Sequence, residues 1–402
     1  MQSSSFVFVG DVHIGNHKRH GGRYVAGVNE RCRLTLSALR NVYKETAKRR
    51  PQAKYVVILG DLFDNPNVSP TMLYYTQDII QYGKELELET IIIQGNHDQA
   101  SDHEDHNALG PLTHLATIIN KPTVITEGEE QLFAIPFQSG KCTTWLTKHV
   151  RALSETGSQA WVSSRLLAFH AGVVDDSTPG FLRNSDTAIT KDKLLDLCND
   201  CDISAAFAGH WHNAKSWQGY YHEDDRHINI IQAGALVPTG WGNEGFNYGA
   251  IYEHVEAERR VGIISMVPGP RFVTITPKDD IGSLKGAKKK NLIGETDLDN
   301  VIFARIKASE TEIELANELL NAAMTADVIH SGEVLYASKT SEDTARQTAE
   351  KTKSSETLEE AIVNYTDTIQ LDVYMDKEFQ PEARERIRNL VARFLGESGD
   401  EH

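Results

Sequence analysis

Five apolar runs in this chain each stop at residues able to hold a cation or move a proton. Phe6-Val7-Phe8-Val9 leads into Gly10-Asp11-Val12-His13, and residues 55–59 lead into Gly60-Asp61-Leu62-Phe63-Asp64. Ile91-Ile92-Ile93 leads into Gly95-Asn96-His97-Asp98, residues 166–169 end at His170, and residues 203–208 end at Gly209-His210-Trp211-His212. A turn after a strand would explain any one of these endings. Five strand ends that all carry Asp, Asn or His to one rim are not explained as independent turns.

Asp11, His13, Asp61, Asn96, His170, His210 and His212 together supply carboxylates, an amide oxygen and imidazoles, too many ligands for one metal ion and suited to two. Mixed nitrogen and oxygen donors favour Mn²⁺, with Fe²⁺, Zn²⁺ or Mg²⁺ as alternatives, over Ca²⁺. Residues two apart in an extended segment share a face, so both members of Asp11/His13 and of His210/His212 can reach one site. Asp61 has two oxygens and a central place in the series, which suits it to bridge the ions. Two metals about 4 Å apart can activate water and clamp the oxygens of a phosphate ester during in-line displacement. His97, next to a ligand, is then the natural donor of a proton to the departing oxygen. Asp64 is placed to orient that imidazole; the rival reading makes it a turn acid before Asn65-Pro66.

The elements that must position these residues follow from periodicity. The apolar runs read as buried strands whose carboxyl ends carry the site, as in open α/β sheets. Leu34, Leu36, Leu39, Val42 and Tyr43 recur at helical spacing, predicting a helix over 30–48, and Ser69-Pro70 opens another that reaches about residue 86. Helices are also expected over 143–153 and 191–198, and strands over 227–231, 248–251, 261–266 and 271–275. Between the first strand and the first helix lies a glycine-rich, basic loop, in which Lys18, Arg19 and Arg23 are candidates for contacting substrate phosphates. The alternative is an ordinary solvated loop.

A hydrophobic content of 40% and a charged content of 24% over 402 residues describe a globular protein with room for a sizeable core and something smaller attached. The net charge of −16 argues against a general nucleic-acid coat but not against an enzyme that grips phosphate through bound metal. It also points to a basic partner supplying part of the grip on a long polyanion. Cys32, Cys142, Cys198 and Cys201 do not make a disulfide framework in a chain this size, and the pair at 198 and 201 lacks a second pair in zinc-site register. With no membrane-length apolar run and no signal-peptide layout, a cytoplasmic location is expected.

The ordered blocks DxH, GDxxD, GNHD, H and GHxH, found here at Asp11, Asp61, Asn96, His170 and His210, resemble the calcineurin-like metallophosphoesterase superfamily over roughly the first 215 residues. Within it the chain is most similar to the SbcD-type nuclease subunit of DNA repair complexes, through Ile135-Pro136-Phe137 and the segment Gln232 to Pro238. The resemblance implies an α/β fold: a two-sheet core sandwiched by helices, with a smaller α+β capping module and a C-terminal helical segment. It implies one metal on Asp11, His13, Asp61 and His212, a second on Asp61, Asn96, His170 and His210, and His97 as the acid. It further implies exonucleolytic cutting of duplex DNA ends, endonucleolytic cutting of single strands, and an SbcC-type ATPase partner whose coiled coil receives the C-terminal helix. Homodimerisation is left open. Two departures stand out: Asp64 occupies a position where archaeal and eukaryotic relatives carry a second histidine, and Ala235 follows Gly234 where a serine is expected.

On this reading residues 1–276 form the nuclease domain, 277–295 a linker, 296–340 the capping module, 341–356 a polar spacer and 357–402 the partner-binding segment. One rival is a phosphatase or other phosphodiesterase of the same superfamily. Protein phosphatases place an arginine directly after GDxxD, where this chain has Asn65. A second rival is a catalytically dead structural subunit, which would typically have lost ligand positions that are all filled here.

Overall fold

A computed structural model of the chain describes residues 4–18, 21–101, 106–157, 162–221, 226–245, 247–255, 258, 260–279, 301–326 and 328–336. These belong to a compact unit spanning Met1–Tyr336; a second unit, Ala337–His402, lies outside the described residues. The expected spacer, the C-terminal partner-binding helix and most of the linker therefore fall outside them.

Two mixed sheets of six strands each carry the fold. In the first, Phe6–Val9, Tyr55–Ile58, Glu89–Ile93 and Thr117–Ile119 run parallel, and Ala250–Val255 then Arg260–Met266 extend it antiparallel from the Phe6–Val9 side. In the second, Glu130–Ile135, Ser164–His170, Ala205–Gly209 and Arg226–Gln232 run parallel, with Thr123–Glu127 and Lys215–Tyr221 as antiparallel edges.

The near-continuous apolar runs have a direct cause: their strands are buried on both faces. Phe6, Phe8, Val57, Ile91 and Ile93 turn inward to meet Leu166, Ala168, Ala205 and Phe207 of the second sheet. Phe8 and Phe207 stack with ring centroids 3.8 Å apart. The intervening residues Val7, Val9, Val56, Ile58 and Ile92 turn outward onto Leu39, Val42, Ile79 and Ile80 of the helices Glu30–Arg49 and Pro70–Glu85. Leu167, Phe169, Ala206 and Ala208 pack likewise on Leu146, Val150, Leu194 and Leu197 of Cys142–Gly157 and Lys191–Asp200. The layers are thus helix, sheet, sheet, helix.

The helices begin where their capping residues allow. Asn29 accepts from the Cys32 N–H at 2.9 Å, and Ser69 from the Met72 N–H at 3.2 Å, with Pro70 in the first turn. The fixed start of Glu30–Arg49 matters for the site, because Arg31 in its first turn faces the loop at 238–239.

A three-stranded parallel sheet, Arg271–Ile275, Ile302–Ala308 and Ser331–Tyr336, is covered by the helix Ile313–Thr325. Arg271–Ile275, which closes the stretch 1–276 in sequence, is hydrogen-bonded into this small sheet. Alternation again divides its faces: Ile302, Ala304 and Ile306 pack under the helix, whereas Phe272 and Phe303 join the first core. The module is tied to the core by Glu244, which accepts from the Thr274 N–H and hydroxyl, and by a contact of 3.0 Å between His330 Nε2 and Glu30 Oε2.

Among the described residues no helix is long and apolar enough to cross a membrane. The four cysteines are all buried and free.

Candidate metal centre

The carboxyl ends of the parallel strands bring Asp11, His13, Asp61, Asn96, His170, His210 and His212 together at the rim of both sheets. His13, Asp61 and His210 each adopt positive φ, at 54°, 48° and 84°. This region is unfavourable for residues with a Cβ, and packing on all sides must hold the chain there. Glycines make room beside them: a Cβ on Gly60 would lie 2.1 Å from His170 Nδ1, and one on Gly95 would lie 2.1 Å from Asp61 Oδ1.

Three overlapping groups of donor atoms converge, two of which include Asp61. Asp11, His13 and His212 place ligand atoms within 4.8 Å of one another, as do Asp61, His170 and His210, and as do His13, Asp61 and His97. His13 Nε2 faces His212 Nε2 at 2.9 Å and lies 3.7 Å from Asp61 Oδ2. His170 Nε2 lies 3.3 Å from the same Asp61 oxygen and 3.1 Å from Asn96 Oδ1, which in turn is 2.9 Å from His210 Nδ1.

The second nitrogen of most of these rings is held by an oxygen, as is usual for metal-binding imidazoles. His170 Nδ1 meets the Leu59 carbonyl at 2.7 Å, His210 Nε2 meets Thr187 Oγ1 at 3.1 Å, and His212 Nδ1 meets Thr239 Oγ1 at 2.9 Å. Phe137 covers the rings of His170 and His210 at 6.2 and 6.0 Å. Asp98 staples two ligand loops, accepting from the Phe63 and Gly95 N–H groups at 3.0 Å each.

Electrostatics separates these groups. Burial pushes the Asp11 carboxyl up to about 6. Burial alone would lower His170, but the neighbouring Asp61 and Asp11 carboxylates outweigh it and raise the imidazole to about 9. Burial, followed by the positive field of His170, lowers His210 to about 3; burial and His13 lower His212 to about 4. His210 and His212 are therefore neutral at physiological pH, the form in which imidazole binds metal. Burial works against ionising Asp61, but the imidazoles of His170, His13 and His97 overcome it and hold the carboxyl below its ordinary range.

The donor set fits a pair of divalent cations. Asp11 Oδ2 and His13 Nδ1 are fully buried side-chain atoms with no hydrogen-bond partner. An unsatisfied buried carboxylate oxygen costs about 1–3 kcal/mol or more, which a bound cation would offset.

His97 is exposed, and its backbone N–H donates to Asp61 Oδ1 at 2.9 Å. Asp64 does meet the His97 ring, though through its backbone carbonyl, 2.7 Å from Nδ1, and not through its carboxylate. That carboxylate lies instead 3.6 Å from His13 Nδ1 and 3.8 Å from His17 Nδ1. Of the three basic candidates, Lys18 lines a cleft next to the cluster, Arg23 is exposed and does not line that cleft, and Arg19 lies outside the described residues.

Thr187, Thr239, Leu59 and Arg31 were not singled out from the sequence. A backbone carbonyl and two threonines carry no motif signal. Arg31 reads as one more polar helix residue until the fold turns it toward the site.

The family model for calcineurin-like phosphoesterases matches residues 4–214. No curated protein matches the chain. Among solved structures, it is similar to a Staphylococcus aureus protein provisionally described as a 5′-nucleotidase, solved with alpha-ketoglutarate, at 11% identity and a TM-score of 0.35. That alignment covers 64% of this chain and 52% of the other, so the chain spans about half the length of that protein. A dimetal phosphatase from Danio rerio aligns at 12% identity and a TM-score of 0.37, over 65% of this chain and 98% of its own.

Proposed function

The chain belongs to the calcineurin-like phosphoesterase family, whose members hydrolyse phosphoesters with two divalent metals, and on that premise we propose that it is a DNA nuclease cutting phosphodiesters. The observation that carries the reading is the convergence of Asp11, His13 and His212 with Asp61, His170 and His210, Asp61 Oδ2 lying 3.7 Å from His13 Nε2 and 3.3 Å from His170 Nε2, with His97 beside them and a cleft lined by Lys18, Arg31 and Trp241 leading away. Asn65 occupies the position where protein phosphatases of the superfamily carry a phosphate-holding arginine, and this too favours a diester substrate.

Asp11, His13, Asp61 and His212 would hold one ion, and Asp61, Asn96, His170 and His210 the other, with Mn²⁺ the best match to the mixed donors. When bound, the pair supplies Lewis acidity, withdrawing charge from the phosphoryl oxygens and making water a nucleophile at neutral pH. The chain's own contribution is positional and protonic. Nδ1 of His97 is engaged by the Asp64 carbonyl, which leaves Nε2 to carry the transferred proton. As the new P–O bond forms and the old one breaks, that proton passes to the departing oxygen. Exposure of the ring lets solvent reprotonate it.

The protein would act in the cytoplasm as the nuclease subunit of an SbcCD-like assembly, cutting duplex ends and single strands, with residues 357–402 engaging the coiled coil of an SbcC-type ATPase and residues 296–340 capping the site. Incubating the protein with Mn²⁺ and end-labelled linear duplex, with and without the ATPase, tests this. Release of nucleotides is expected; hydrolysis of small phosphomonoesters alone would favour the phosphatase reading, and inactivity on every ester a structural subunit.

A further inference from the structure

We propose that the cleft beside the metal centre is a nucleotide subsite, taking the nucleoside next to the bond being cut together with that nucleoside's other phosphate; this rests on the nuclease reading above. The cleft encloses about 470 Å³, within the range of about 300–1,000 Å³ found for small-molecule sites. Its walls include Lys18, Arg31, Asp64, Thr239, Trp241 and Phe272.

It is continuous with the metal centre. Asp64 lies 3.6 Å from His13 Nδ1, and Thr239 Oγ1 lies 2.9 Å from His212 Nδ1, so the same two residues flank the ligands and line the cleft. A strand whose phosphate sits over the metal ligands therefore runs into the cleft within one nucleotide.

The cleft's charge suits a second phosphate. Lys18 is exposed and has no ion-pair partner among the described residues. Arg31 is only 6% exposed and sits in the first turn of a 20-residue helix, where the macrodipole already presents positive charge. The carbonyl oxygens of Pro238 and Thr239 accept from its guanidinium, which stays charged at neutral pH although burial lowers it to about 10. The Asp64 carboxylate on the same wall already acts on this charge, and a phosphate held between Lys18 and Arg31 would be its second anionic neighbour.

The remaining wall is aromatic. Trp241 and Phe272 meet edge to face with centroids 5.0 Å apart, and Phe272 comes from the small module, so docking of that module completes the cleft. Trp241, half-buried, is the ring of this wall within reach of a base, and Phe272, 5% exposed and stacked on Phe303, backs it.

Calorimetric titration of the full-length, Mn²⁺-loaded protein with thymidine 3′,5′-bisphosphate and with the 3′- and 5′-monophosphates tests the assignment. The bisphosphate is expected to bind about tenfold tighter than either monophosphate. Lys18→Ala should remove most of that advantage, and Trp241→Ala should weaken all three by about tenfold. Equal affinity for bisphosphate and monophosphates, or variants that bind all three as the parent does, would overturn the subsite. Lys18 is exposed, so its variant keeps the comparison decisive even if Trp241→Ala folds poorly. Hydrolysis of the monophosphates during the titration would count against the nuclease reading, and the same titration repeated with the corresponding methylene phosphonates, which cannot be cut, would still decide the subsite.

Discussion

The backbone N–H of His97 donates to Oδ1 of Asp61 at 2.9 Å, while Oδ2 of the same carboxylate faces His170 Nε2 at 3.3 Å and His13 Nε2 at 3.7 Å. One carboxylate therefore sets the place of the proposed proton donor and belongs to both proposed ligand sets. Acid and ligand roles are nevertheless separable by mutation of His97, because its ring, anchored by the Asp64 carbonyl, belongs to neither proposed ligand set.

Replacing His97 with Ala is expected to leave the bound metal unchanged while lowering turnover by about 10²–10⁴. Elemental analysis beside steady-state kinetics checks this. If the variant loses its metals, His97 is a ligand and not the acid.

Thr239→Val removes the oxygen that holds His212 Nδ1 at 2.9 Å. Losing such an outer partner typically weakens metal affinity by about 10–100-fold. A competition titration against a chelator would show that shift, and an unchanged affinity would mean that the threonine does not orient the ring.

Phe8 and Phe207 stack at 3.8 Å in the layer between the two sheets. Phe8→Ala is expected to destabilise the protein by about 3–5 kcal/mol, since it empties a fully buried site. Urea unfolding measures this. A loss below about 1 kcal/mol would show that the sheets close over the cavity.

His254 offers a pH test away from the metal centre. The residue is 1% exposed, and burial lowers its pKa from 6.5 to about 4. Between those values the unfolded chain binds a proton that the folded chain does not. The stability it contributes is complete above about pH 6.5 and is lost as pH falls toward 4, by up to roughly 3 kcal/mol. The unfolding midpoint of the parent should drop between pH 7 and pH 5 by more than that of His254→Gln. Equal drops would mean that other groups carry the acid sensitivity.

The strand-end residues were readable in the sequence because two physical demands coincide there. Strands buried on both faces leave unbroken apolar runs such as Ile91 to Ile93, and the polar residues that interrupt them stand out. The helices were readable for a similar reason, through the recurrence of Leu34, Leu39 and Val42 and the Ser69-Pro70 start, whereas the cap at Asn29 shows only in the structure. Short edge strands were less so: Thr117–Ile119 and Gly172–Val174 are only three residues long and carry no period. Interactions made through the backbone left no trace at all. The Asp64 carboxylate was the group expected to orient His97, yet the contact is made by its carbonyl, and nothing in side-chain identity separates those outcomes. The cleft was hidden because its walls come from positions as distant as Lys18 and Phe272, which meet only after the small sheet packs on the first core.

The most direct test is a Mn²⁺ titration of metal-stripped protein, followed by calorimetry and elemental analysis, in the parent and in Asp61→Ala. Two ions per chain are expected in the parent, with binding at both sites weakened sharply by the substitution because both proposed ligand sets lose the same carboxylate. A single ion per chain, or two that bind Asp61→Ala as tightly as the parent, would contradict a shared centre.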